Sequence, residues 1–173
     1  PGTPSRSGSE RQGLSSLLQQ NVKPPELHGN FGSGADNWKD PPEEGYVRVR
    51  MILDSGAAAT VAPLTMATGV AIEDSHMSRR GQSYTSADGG AIENQGQQSI
   101  QVITNEGTEL LLTKCQVGPV TRPLLAVSQV TAAGHCVMLN RTGGWLVNMT
   151  TYDRTRIHLR KGVYELDLWL KEI

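Results

Sequence analysis

From residue 45 onward the chain alternates short β-branched or leucine-rich runs with glycine, proline and acidic turn residues, at intervals of about eight to twelve positions. No apolar stripe with helical spacing is sustained over this region. Tyr46-Val47-Arg48-Val49-Arg50 alternates apolar and charged residues, then Met51-Ile52-Leu53 is continuously apolar up to Asp54. Such a run predicts a strand that is half-exposed at its start and buried on both faces at its end. Tyr84 to Ile92 predicts a hairpin around Asp88-Gly89, because Asp-Gly supplies the positive φ angles of a tight turn. Gln98 to Thr104 and Thr108 to Val117 predict a second hairpin about Asn105-Glu106-Gly107, closed by Gly118-Pro119. Leu124 to Val127 reads as a buried strand. Residues 128–133 suit a short helix that Gly134 stops by taking the left-handed conformation. Three further strands are expected near 135–139, 145–159 and 163–170. The pattern predicts an all-β class, a barrel or a sandwich.

Residues 1–44 contrast with this. They are rich in Gly, Pro, Ser and charge, with Leu14-Ser15-Ser16-Leu17-Leu18 the main apolar cluster. Too little apolar surface is available to offset the entropy of ordering, so a disordered linker is expected. The chain of 173 residues is otherwise long enough for one core, and its 19 glycines and 5% aromatic content suit a turn-rich β protein. It starts at Pro1 with no basic start and apolar stretch behind it, which predicts an intracellular, cytoplasmic piece of a longer polyprotein and no membrane partner.

The net charge of −1 is not that of a dedicated nucleic-acid binder, so nucleic acid is not the expected partner. Arg154, Arg156, His158, Arg160 and Lys161 form a basic stretch, but strand alternation puts most of them on one solvated face. Cys115 and Cys136 lie among apolar residues with no C-x-x-C spacing, and read as buried free thiols. The four histidines show no ligand spacing, so no metal and no cofactor is expected. Ser128 and His135 lack a nucleophile-elbow context, and Gly32-Ser33-Gly34 lacks a phosphate-loop lysine. Trp145, Tyr164 and Trp169 read as core or interface aromatics.

The candidate chemistry is Asp54-Ser55-Gly56, at the end of the first strand and succeeded by Ala57-Ala58-Ala59. Two carboxylates held about 3 Å apart cannot both ionise; sharing one proton, one activates water while the other hydrogen-bonds a scissile carbonyl. The Ser55 hydroxyl can bond within the paired loops, and Gly56 removes a Cβ from the approach. Only one D-[ST]-G occurs in the chain, so the second carboxylate must come from another copy across a two-fold axis. The tripeptide alone turns up by chance in roughly one chain in ten of this length, as an ordinary polar turn. Its weight comes from the order of the segments downstream of it.

Met51-Ile52-Leu53-Asp54-Ser55-Gly56-Ala57, the hairpin Ser86-Ala87-Asp88-Gly89-Gly90, Arg122-Pro123-Leu124-Leu125-Ala126-Val127-Ser128-Gln129-Val130 leading to Gly134-His135, and Lys161-Gly162-Val163-Tyr164-Glu165-Leu166 together resemble the protease region of copia-type retrotransposon polyproteins. The resemblance spans about residues 46 to 170. It implies a closed retropepsin-like β-barrel, with a core at 45–134 and additional C-terminal strands at 135–173 that a pre-integrase-like extension would also explain. It further implies an aspartic endopeptidase acting as a homodimer on an extended polypeptide, its own polyprotein. Asp54, with Ser55 and Gly56, would be catalytic, Ala87, Asp88, Gly89 and Gly90 the tip of a substrate-covering flap, and Leu124, Leu125 and Ala126 the support beneath the catalytic loop. Ala126 stands where retropepsins commonly have glycine. The alternative expectation is a catalytically inactive or domesticated barrel that serves as a dimerisation or peptide-binding module.

Overall fold

The structure, a computed structural model, describes residues 38–85 and 89–172. It is mostly β, and six strands close into a barrel. Strand β1 (Tyr46–Asp54) is flanked on one side by β7 (Leu124–Ala126), running parallel, and on the other by β11 (Val163–Lys171), running antiparallel. From β7 the circle continues through β2 (Val61–Pro63) and β6 (Glu109–Gly118) to β5 (Gly96–Thr104). The pairing of β5 with β11 completes it, with Leu168 opposite Thr104 and Leu170 opposite Val102. A small hairpin of β3 (Ser83–Thr85) and β4 (Ala91–Glu93) forms a separate sheet. Helix α1 (His76–Arg79) precedes it, and helix α2 (Val127–Ala132) comes directly after β7. Beyond β11, the sheet extends through β10 (Arg154–Arg160), β9 (Gly143–Asn148) and β8 (His135–Asn140). No helix among the described residues is long and apolar enough to cross a membrane.

Alternation explains most of this. In β5, Ile100 and Val102 are fully buried whereas Ser99 and Gln101 point to solvent. The register between β5 and β6 slips between Gln98 and Ile100, where Lys114 takes a positive φ of 54°. Such a bulge lets a strand bend around a small barrel. Met51, Ile100, Val102, Leu166 and Leu168 meet in the barrel interior with no exposed surface. The predicted helix at 128–133 is α2, one residue earlier, and Gly134 after it has φ 87°.

Four expectations change. The single strand at 145–159 is two, because the Asn148 side chain accepts from the amides of Thr150 (2.8 Å) and Thr151 (3.1 Å) and turns the chain. A second short helix, α1, is present without any apolar periodicity to announce it; Ser75 and Ser78 cap it reciprocally, each hydroxyl accepting from the other's amide at 2.9 Å. The tail expected over 1–44 ends earlier, since Trp38 packs edge-on against Trp169 with ring centres 5.0 Å apart, and Arg48 lies over both rings. Residues 1–37 lie outside the described residues. Finally, no seam falls at residue 134: β11 supplies Leu166, Leu168 and Leu170 to the core and pairs with β1 from Tyr46 to Ile52. Residues 38–172 behave as one compact unit.

Candidate functional site

Asp54 is the last residue of β1, half-buried, and β7 runs alongside it. The parallel ladder pairs Ile52 with Leu124, Leu53 with Leu125 and Asp54 with Ala126, and the Ile52 amide also donates to the Pro123 carbonyl at 2.9 Å. Thus Leu124, Leu125 and Ala126, the residues expected to support the loop, run alongside the end of β1. Ala126 has no exposed surface and an ordinary extended backbone (φ −71°, ψ 121°), a conformation that requires no glycine. Its methyl group is accommodated.

After β1 the chain turns sharply. The Gly56 amide donates to Asp54 Oδ1 at 2.7 Å, which orients the carboxylate from its own loop. A Cβ on Gly56 would sit 3.3 Å from that oxygen, so any larger residue crowds the approach. Ser55 and Gly56 are exposed. The loop's far end is Thr60, only 2% exposed and fastened three times. Its hydroxyl accepts from the Ala126 amide (3.1 Å), its amide donates to Gln129 Oε1 on α2 (2.8 Å), and its carbonyl accepts from the Gln116 amide (2.8 Å). Sequence reasoning misses Thr60 and Gln129, whose partners are distant in the chain.

Asp54 opens into a cleft of about 560 Å³, within the range of small-ligand and peptide side-chain pockets. It is lined by Gly56 and Ala57–Ala59 of the loop after β1, by Tyr84, Thr85 and Ile92 of the β3–β4 hairpin, and by Val61, Val120 and Leu124. The hairpin predicted at Tyr84 to Ile92 is present, with Tyr84 opposite Ile92 and Thr85 opposite Ala91, and it lines the same cleft as Asp54. Of its expected tip, Gly89 and Gly90 are exposed, and Gly89 has φ 85°, which favours glycine. Ala87 and Asp88 lie outside the described residues. The hairpin's root is tied down: Asn94 Nδ2 donates to Gln116 Oε1 (3.0 Å) and to the Tyr84 hydroxyl (3.3 Å). Burial, with a smaller push from Cys115, raises the Tyr84 phenol above its ordinary value, so it stays a neutral hydrogen-bonding group.

Among the described residues that line this cleft, Asp54 is the one carboxylate. No three His, Cys, Asp or Glu side chains among the described residues are grouped to hold a metal ion. The remaining candidate groups are dispersed. Arg156 stacks on Trp145 (5.0 Å), and Arg160 and His158 face buried carboxylates of β11. Burial lowers the His158 pKa more than Asp167 raises it. Cys115 is buried, Cys136 partly so, and both are free. Comparison with family models, curated proteins and solved structures finds no match for the chain.

Proposed function

We propose that the protein is an aspartic endopeptidase of retropepsin type, a homodimer in which each copy supplies Asp54 to one shared site and which cleaves extended segments of its own polyprotein. One observation carries this reading: a carboxylate at the end of β1, held by a glycine amide and flanked by a parallel strand, lines a mainly apolar cleft together with a hairpin that carries Gly89 and Gly90. That cleft supplies one carboxylate where the chemistry needs two, and a second copy of the same exposed loop is the simplest source of the other.

In such a dimer the paired carboxylates hold one proton between them. The ionised member takes a proton from water as it attacks the scissile carbonyl, and the protonated member donates to the developing oxyanion. The amide of Gly56 keeps Asp54 Oδ1 aimed while this occurs. Closing the hairpin over an extended peptide excludes water and strengthens those bonds. The small side chains of Ala57–Ala59 in the cleft lining leave room for substrate side chains.

The test uses the wild-type chain and Asp54→Asn with a longer precursor, from about pH 4 to about pH 8, with and without a statine-type inhibitor. Wild type should cleave with a bell-shaped pH profile on the acid side of neutrality and be blocked by the inhibitor. Asp54→Asn should lose cleavage yet sediment as the same dimer. Cleavage by Asp54→Asn, or a wild-type chain that stays monomeric at working concentration, overturns the proposal. Peptide binding without turnover by the wild-type dimer would instead identify a binding module.

A further inference from the structure

Outside the cleft the molecule buries a second group of charges. Glu165 and Asp167 stand two residues apart on the face of β11 that points away from the barrel core, 5% and 2% exposed. Arg160 makes a forked contact with Asp167 (2.7 and 2.8 Å) and reaches Glu165 Oε2 at 3.2 Å. Arg50 Nε and His158 Nε2 add to Asp167 at 3.3 and 3.5 Å. The remaining oxygen of Glu165, Oε1, is taken by Arg122.

Arg122 differs from the others in what it is attached to. The residue after it, Pro123, gives its carbonyl to the Ile52 amide, and the three residues after that pair with Ile52, Leu53 and Asp54. Proline has no N–H, so at this point the incoming segment cannot donate to a ladder. Thr60 holds the far end of β7 through the Ala126 amide, and the bond from Arg122 to Glu165 ties the chain two residues before β7, where it enters the barrel beside Asp54.

We propose that Arg122 is a positioning residue for Asp54: pinned to Glu165, it sets the height of the support strand and with it the placement of the carboxylate in the cleft. This rests on the reading of Asp54 as the catalytic group. The Arg122 side chain is 45% exposed and Arg160 also holds Glu165, so loss of Arg122 costs less global stability than loss of Arg160. Arg160, 26% exposed and joined to both carboxylates, carries the structural share. Turnover and stability are thus assigned to different arginines.

Three variants of the full chain test this: Arg122→Gln, Arg122→Lys and Arg160→Gln. Arg122→Gln should lower kcat roughly tenfold to a hundredfold, the scale of a small misplacement of a reacting group, with KM within about twofold and melting lowered less than in Arg160→Gln. Arg122→Lys should recover part of the loss, and Arg160→Gln should melt earlier while keeping kcat. An unchanged kcat in Arg122→Gln, or an equal fall in Arg160→Gln, overturns the assignment. Amide hydrogen exchange at Ile52 and Gly56 separates this from the protease reading: if wild type cleaves nothing, faster exchange in Arg122→Gln still supports the positioning role, and unchanged exchange refutes it.

Discussion

Replacing Thr60 by valine tests the loop that holds Asp54 without touching the carboxylate. The change keeps the branched shape and removes the hydroxyl that accepts from the Ala126 amide at 3.1 Å. Both residues are shielded, Thr60 at 2% and Ala126 at 0% exposure, so no water replaces the lost acceptor. A buried donor left without a partner costs about 1–3 kcal/mol. The extra methyl returns at most about 0.8 kcal/mol of apolar burial. The net destabilisation should be about 1–2 kcal/mol, which for a unit of this size is a fall in Tm of about 4–7 °C. Thr60→Ser, which retains the hydroxyl, should lose under about 1 kcal/mol. Urea unfolding at one fixed protomer concentration measures these differences, because the proposed dimerisation would make apparent stability concentration-dependent. The Ala126 amide should also exchange faster in Thr60→Val than in Thr60→Ser. Equal stabilities of the valine and serine variants, or a Thr60→Val change below about 0.5 kcal/mol, would refute the assignment of Thr60 as the anchor of the loop.

Two other outcomes are expected from the fold. Truncation after Gly134 removes Leu166, Leu168 and Leu170 and leaves β1 and β5 without their partner β11, so the shortened chain should show no cooperative unfolding transition by circular dichroism; a cooperative transition would make the C-terminal strands dispensable. Burial pushes the Cys115 thiol up from 9.0 to about 12, so the folded state keeps this proton where the unfolded chain has lost it. The associated stability is fully present below pH 9 and is lost as pH rises toward 12, by an amount on the order of 4 kcal/mol. Unfolding free energies of wild type and Cys115→Ala across that range should therefore converge; parallel curves would contradict the shift.

What can be read from the sequence divides along the distance over which each feature is decided. Ile100 and Val102 alternate with Gln101 and Ser99, and a period of two is enough to assign β5 and its inward face. Asp54 at the end of an apolar run, the hairpin beneath Gly89 and the helix stopped by Gly134 are similarly local. Glu165 and Asp167 show where such reading stops. They alternate with Leu166 and Leu168 as polar residues of a half-exposed strand should, yet they are buried, because guanidinium groups from Arg50, Arg122 and Arg160 arrive from β1, the loop before β7, and β10. A polar residue is exposed by pattern but buried by partners, and no period reveals a partner 43 residues away. Thr60 is the same case: nothing near it indicates that Gln129 and Ala126 will close on it. Trp38 is hidden among polar neighbours in the chain, and only Trp169 and Arg48 give it a place in the fold. The residues that fix Asp54 in place are thus mostly those whose role appears only when the barrel closes, since a closed circle of strands is built from contacts distant in sequence.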